Sequence, residues 1–134
     1  MIIKAIADTH ALIWYVFNDA RLSTVAVNFM DEADDDGERI GVSSISLVGT
    51  FYLIEKQRID PTAFERILGL LNSPDGLFWE FPVDRDIAKA CSRVPREQVP
   101  DMPDRIIAAT AVQLGVPLIS RDRKIQTSSV ATIW

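Results

Sequence analysis

Short apolar runs alternate along this chain with longer segments in which apolar residues recur every three or four positions. The short runs have the length of buried strands, and the longer segments have the period of helices that cover a sheet with one face. Four strands are predicted, at residues 2–7, 39–42, 77–81 and 116–120, with a fifth at 130–134. Helix-length connections favour crossovers. They therefore predict an α/β fold, a three-layer α/β/α sandwich with a central, mainly parallel sheet of four to five strands.

The segments between the predicted strands carry helix start and stop signals. Ser43 or Ser44 is expected to cap one helix, and Asp60 is expected to start the next with Pro61 in its first position. Gly115 stops the last of them. The helices are expected at residues 11–17, 23–30, 44–54, 61–71, 85–94 and 104–114, the second dissolving in the acidic run 31–38.

Length and composition set limits on the fold and its partners. A chain of 134 residues without a linker or repeat fits a single domain, 1–134, and buries a core without a metal or disulfide, so a bound metal would be functional. With 14 Lys and Arg against 19 Asp and Glu, the net charge of −5 repels a polyanion unless the basic residues cluster. The lone Cys91 is expected in the core. The absence of a signal segment or a long apolar run predicts a cytoplasmic protein without a membrane partner.

Three aspartates are predicted to meet at one edge of the sheet. Asp8 ends the first strand and Asp122 follows the fourth, and the carboxyl ends of parallel strands share an edge. Asp104 comes in the first turn of a helix for which Asp101 is the expected N-cap. Convergent carboxylates repel one another unless a cation holds them, and oxygen-only ligands suit Mg²⁺ or Mn²⁺. Such a site is typical of phosphodiester cleavage by metal-activated water.

Each of these carboxylates also has a plain structural interpretation. Aspartate at a strand-to-helix junction is a common N-cap, so the prediction of a metal site depends on the combination and not on any one residue. Asp84 fits a cap better than a ligand, and residues 34–36 fit a solvated loop. His10 lacks a partner that would make it a catalytic base and is expected either to be structural or to support a neighbouring site residue.

Five motifs in this order carry a resemblance to a known family. The chain resembles the PIN-domain family, and within it the bacterial VapC-type toxins, across nearly its whole length. The matching stretches are ADTHALIW at 7–14, VSSISL at 42–47, DMPDRIIAATA at 101–111, LISRD at 118–122 and TIW at 132–134.

The resemblance implies a function and a set of residues for it. It implies a PIN-like sandwich that acts as a Mg²⁺-dependent endoribonuclease, with an RNA substrate, a cognate antitoxin and a homodimeric state. The residues that look like the family's catalytic and metal-binding aspartates are Asp8, Asp104 and Asp122, with Asp101 as an auxiliary acid. Ser120 resembles the hydroxyl beside the last aspartate, and Thr9 would act similarly near Asp8.

One position departs from the family pattern. After Ser46-Leu47 the family normally places a glutamate on the third helix, and here Val48 is followed by Gly49. The site would lose a ligand or water-holding group, and the helix gains a residue that costs about 1 kcal/mol relative to Ala. Glu55 is not a substitute, because six helical positions turn it by about 120° from Gly49. Three interpretations of Gly49 stay open: a natural variant with weakened or absent catalysis, an inactivated copy of a toxin, or a substitution that allowed a toxic protein to be expressed.

Two other classes of function compete with the ribonuclease. The first is a catalytically silent PIN-fold protein that binds RNA or its antitoxin. The second is phosphoryl transfer on small molecules, as in phosphatases and receiver domains that also end a first strand with Asp. The second is opposed by His10, which stands where a phosphatase needs another Asp.

Overall fold

The computed structural model describes residues 1–134 and contains one parallel sheet of five strands. The strands are β1 (Ile3–Ala7), β2 (Arg39–Ser43), β3 (Phe78–Phe81), β4 (Leu118–Ile119) and β5 (Thr132–Ile133). Their order is β3-β2-β1-β4-β5, and every neighbouring pair is parallel. The predicted mainly parallel sheet is confirmed, and β1 lies at its centre.

Helices cover both faces of this sheet. They are α1 (Thr9–Val16), α2 (Thr24–Asp35), α3 (Ser44–Glu55), α4 (Ala63–Leu71), α5 (Arg85–Ala90), α6 (Met102–Leu114) and α7 (Arg123–Gln126), with a 3₁₀ turn at Cys91–Arg93. Alternate residues of β1 face opposite sides, so that Ala5 and Ala7 join one buried core while Ile6 joins the other. The first core packs on α1, α2 and α4, and the second on α5, α6 and α7. The predicted three-layer sandwich is therefore confirmed.

Gly41, in the middle of β2, is required by the packing around it. A Cβ atom at this position would overlap the Ile6 side chain and approach Phe81 Cε2 to 2.8 Å. Without it, Ile6 and Phe81 pack over the backbone of β2 on the α5–α6 side of the sheet. Glycine is present here for close approach and not for backbone freedom.

Several predicted boundaries are wrong in instructive ways. The helix expected from Pro61 begins at Ala63, because the Asp60 carboxylate accepts hydrogen bonds from the backbone N–H and hydroxyl of Thr62 and holds residues 60–62 in a turn. The second helix continues to Asp35 instead of dissolving at residue 31, and its acidic end is exposed. The fourth and fifth strands are only two residues long, and they pair with each other over those two positions.

Two further features differ from the expectations. Cys91 is only partly buried and begins the 3₁₀ turn that ends the helix predicted to reach residue 94. The short helix α7 was not predicted, since four residues with one apolar side chain, Ile125, carry no periodic signal. No helix has the length and apolar character needed to cross a membrane.

Candidate active site

The strand order reverses direction at one point, between β1 and β4. Starting from β1, the chain adds β2 and β3 on one side and β4 and β5 on the other. In open parallel sheets such a point leaves a crevice at the carboxyl ends of the two strands, and ligands bind there. Asp8 directly follows β1, while Ser120 and Asp122 follow β4. The topology thus brings two of the predicted aspartates to this crevice.

Asp8 is fixed in the crevice by its position between β1 and α1. Its backbone N–H donates to the Ile119 carbonyl at 3.1 Å, extending the β1–β4 pairing by one residue. Its side chain caps α1, with Oδ1 accepting from the Ala11 N–H at 2.9 Å. Burial raises the pKa of the Asp8 carboxyl, the hydrogen bonds from Ser120 and Ala11 lower it, and nearby Asp122 raises it again. The cap at the start of α1 thus fixes the direction of this carboxylate.

Asp122 has the same arrangement at the neighbouring strand. It caps α7, and its Oδ1 accepts from the Ile125 N–H at 3.1 Å. Ser120 is fully buried beside both aspartates: its oxygen accepts from the Asp122 N–H at 3.1 Å, and its hydroxyl lowers the pKa of Asp8. Ser120 thus lies beside the backbone of Asp122, and its role in orienting the site stays a prediction.

Asp104 reaches the crevice from the first turn of α6. The N-cap of that helix is Asp101, whose Oδ2 accepts from the Asp104 N–H at 3.1 Å, as the sequence predicted. Burial, followed by the charges of Asp101, Asp122 and Asp8, raises the pKa of Asp104 to about 7. A carboxylate whose charge three others disfavour has the electrostatic signature of a site suited to a cation.

Asp8, Asp104 and Asp122 line one cavity of about 350 Å³. No group of three or more His, Cys, Asp or Glu side chains is gathered tightly enough to hold a metal ion directly, so the three-aspartate ligand set stays a prediction. The donor chemistry nevertheless fits a hard divalent ion. Carboxylate oxygens in a partly desolvated cleft suit Mg²⁺, which keeps several of its waters and needs few protein ligands.

Three other residues of this cavity were not predicted as site residues. They are His10, which is exposed, Trp14, which is buried, and Arg121. The Arg121 guanidinium lies 5.5 Å from the centre of the Trp14 ring, and the centre of the His10 ring lies 5.5 Å from the same point. Arg121 could have been noted from the sequence, because it directly precedes Asp122.

Thr9 does not contact Asp8 in the way that the resemblance implied. Its hydroxyl donates to the hydroxyl of buried Ser46 at 3.0 Å, which ties the start of α1 to α3. Gly49 lies one helical turn further along α3. A Cβ atom built on Gly49 would meet Thr9 Cγ2 at 3.6 Å and Oγ1 at 3.7 Å, which are ordinary contacts. A side chain at position 49 would therefore begin next to Thr9, the neighbour of Asp8, without strain at its Cβ atom.

Comparisons with known proteins agree with this fold. Ribonuclease VapC22 of Mycobacterium tuberculosis is 25% identical over 130 residues, covering 95% of each chain. The crystal structure of VapBC2 from Rickettsia felis bound to a DNA fragment from their promoter has a TM-score of 0.70 at 14% identity, covering 98% of this chain and 97% of that one. A toxin-antitoxin complex from Klebsiella pneumoniae gives 0.65 at 21% identity, covering 92% of both.

The family itself is identified by sequence. The sequence model of the PIN domain matches residues 5–129, which include all three aspartates of the cavity and both strand exits of the crevice. The resemblance predicted from five short motifs is thereby confirmed, and the chain belongs to the PIN domain family.

Proposed function

We propose that this protein is a Mg²⁺-dependent endoribonuclease and the toxin of a toxin–antitoxin pair. The observation that carries the proposal is the shared cavity of Asp8, Asp104 and Asp122 at the crevice between β1 and β4. Membership of the PIN domain family and the similarity to a protein named ribonuclease VapC22 support the same activity.

The chain's own residues would divide the work between holding an ion and holding geometry. Asp8, Asp104 and Asp122 would hold Mg²⁺ or Mn²⁺, which when bound supplies charge stabilisation at phosphate and activates water for attack. Ser120 would orient Asp8 through its hydroxyl and Asp122 through the backbone. Asp101 would keep the start of α6, and with it Asp104, aimed at the cavity. Residues that orient ligands in this way typically contribute about 10–100-fold to metal affinity or activity.

Gly49 is the reason to expect a weakened activity. The position faces Thr9 beside Asp8, with room for a side chain, so a glutamate there could add a carboxylate to the cavity edge. The present chain would therefore hold its ion with fewer donors. We infer that Gly49→Glu strengthens both ion binding and cleavage.

The test is cleavage of labelled RNA in Mg²⁺, Mn²⁺ or EDTA by three proteins: the chain itself, Gly49→Glu, and Asp8→Asn in the Gly49→Glu background. The expected order is fastest cutting by Gly49→Glu, slower cutting by the chain itself, and none by the Asp8→Asn variant or in EDTA. Mg²⁺ binding is measured in parallel by calorimetry. The proposal is wrong if neither the chain nor Gly49→Glu cuts RNA or binds the ion.

A second candidate, favoured by Gly49, is a silent PIN-fold protein that binds RNA or an antitoxin without turnover. The solved complexes similar to this chain include toxin–antitoxin assemblies, which supports an antitoxin as partner in either case. A homodimer is proposed for the same protein on the family resemblance. The silent protein would bind RNA or antitoxin tightly, and it would cut RNA at no detectable rate in either divalent ion. Sedimentation of the chain with and without its antitoxin measures the assembly state.

A further inference from the structure

The cavity of the three aspartates has a neighbour. A second cavity, also of about 350 Å³, adjoins it and shares two of its residues, Asp104 and Asp122. The shared carboxylates form the boundary between the two spaces. Of these two cavities, Arg121 lines the first and not the second, while Arg123 and Lys124 line the second and not the first.

The local chain geometry explains why consecutive basic residues face different cavities. Asp122 is the N-cap of α7, so Arg121 lies in the extended segment before the helix, and Arg123 and Lys124 lie in its first turn. Successive side chains point in different directions where a chain changes from extended to helical. Along residues 121–124, the first cation therefore lies in one cavity, the carboxylate of Asp122 lies at the boundary, and the next two cations lie in the other cavity.

These three cations are available to an external anion. The one ion pair of the structure joins Arg21 to Asp19 at 2.7 Å, so none of the three is held by a carboxylate, although several carboxylates are close by. Arg121 is nevertheless oriented, because its guanidinium rests 5.5 Å from the centre of the Trp14 ring. All three are exposed.

The clustering of these three cations explains how a chain with a net negative charge could bind RNA. A chain with net charge −5 repels RNA on average, and it can bind a polyanion only where cations are concentrated. Cations on both sides of the acidic boundary would hold a strand by the phosphates that flank its central one, leaving that central phosphate at the carboxylates.

We propose that the two cavities are phosphate subsites on opposite sides of the bond to be cut. Arg121 contacts the backbone phosphate on one side, and Arg123 and Lys124 contact the phosphate on the other. The proposal rests on the proposed function for the identity of the strand as RNA, and it adds the path of that strand across α7. It also makes Arg121, Arg123 and Lys124 substrate-binding residues that take no part in cleaving the bond.

The experiment is a scan of binding with short RNA oligonucleotides, each carrying one neutral methylphosphonate in place of one phosphate. Binding is measured by fluorescence anisotropy in Mg²⁺ at several salt concentrations, with Asp8→Asn as the parent so that the strand stays intact. Arg121→Ala and the double variant Arg123→Ala/Lys124→Ala are compared with Lys56→Ala. Lys56 is an exposed cation at the C-terminal end of α3, away from the edge where that helix begins.

We expect the affinity of the parent to fall about fivefold when the phosphate is neutralised at a few positions. Arg121→Ala should remove the sensitivity at one position, and Arg123→Ala/Lys124→Ala should remove it at a different one across the central phosphate. The slope of log affinity against log salt should fall by about 0.7 for each phosphate that a variant no longer neutralises. Lys56→Ala should change neither the positions nor the slope.

The outcomes separate this proposal from the proposed function. If the basic variants bind every oligonucleotide as Lys56→Ala does, or if both lose sensitivity at the same position, the two-subsite proposal is wrong while ribonuclease activity is untouched. If the positions separate as expected but Gly49→Glu cuts no RNA, the strand path stands and the catalytic proposal fails. If neither the parent nor the chain itself, kept from cutting by EDTA, binds RNA, both are overturned.

Discussion

Replacing Asp104 by Asn tests whether the carboxylates of the cavity truly crowd one another. In the metal-free protein, burial and the charges of Asp101, Asp122 and Asp8 raise the pKa of Asp104 from 3.8 to about 7. A carboxyl group whose pKa is higher in the folded state binds its proton more tightly there. Its ionisation therefore destabilises the fold progressively as pH rises from about 4 to about 7, and the destabilisation is complete above that window.

The magnitude follows from the shift, with a discount for exposure. A shift of about three pKa units corresponds to roughly 4 kcal/mol as an upper limit. Because Asp104 is partly exposed, solvent screening reduces this to about 1–2 kcal/mol. The Asn variant also loses a charge near the positive end of α6, which is worth about 0.5 kcal/mol. In EDTA at pH 8, Asp104→Asn should be more stable than the parent by about 1 kcal/mol, and the gain should vanish near pH 4.

The assay is urea unfolding at pH 8 and near pH 4, in EDTA and in Mg²⁺. The matched control is Asp86→Asn, since Asp86 lies in the first turn of α5 as Asp104 does in α6 but is exposed. It should show only the small helix-end loss. Mg²⁺ stabilises the folded state in proportion to how tightly it binds there. The parent should therefore gain more stability from Mg²⁺ than Asp104→Asn, which lacks one of the proposed ligands. Should Asp104→Asn be destabilising at pH 8 in EDTA by as much as Asp86→Asn, the reasoning about crowded carboxylates would be refuted.

Three further substitutions test the packing around the site, each measured by urea unfolding. Gly41→Ala should destabilise the protein by about 1–3 kcal/mol because its Cβ would overlap Ile6, and an unchanged midpoint would contradict that. Gly49→Ala should instead stabilise by about 0.5–1 kcal/mol, because it replaces glycine inside α3 with ordinary contacts, and a loss of stability would mean that the helix is constrained there. Ser120→Ala should cost about 1–2 kcal/mol by removing the buried hydroxyl beside Asp8 and Asp122, and it should weaken Mg²⁺ binding about tenfold, whereas normal ion binding would disprove its positioning role.

The sequence predicted the parts of the site that depend on chain topology. Asp8 and Asp122 follow the neighbouring parallel strands β1 and β4, so their meeting at one edge follows from a parallel sheet. Asp101 and Asp104 could be predicted from capping chemistry, which is local and depends on few residues. The contribution of α7 could not be predicted. Its four residues are too few to give a periodic pattern. Without the helix, the sequence does not indicate that the side chains of Arg121 and Arg123 line different cavities.

The cap and ligand interpretations of the aspartates, opposed at the level of sequence, are compatible in the structure. A carboxylate has two oxygens, and in Asp8 and Asp122 the backbone N–H at the helix start takes Oδ1 only. The cap fixes the direction of the side chain, so a ligand meets a carboxylate that is already oriented. Substitutions by Asn and by Ala at these positions therefore remove different interactions. Asn keeps a capping oxygen and removes the charge, whereas Ala also removes a cap worth about 1 kcal/mol. If Asp8→Ala and Asp8→Asn had equal stability, the cap would contribute nothing to the fold, and the orientation of this carboxylate would need another cause.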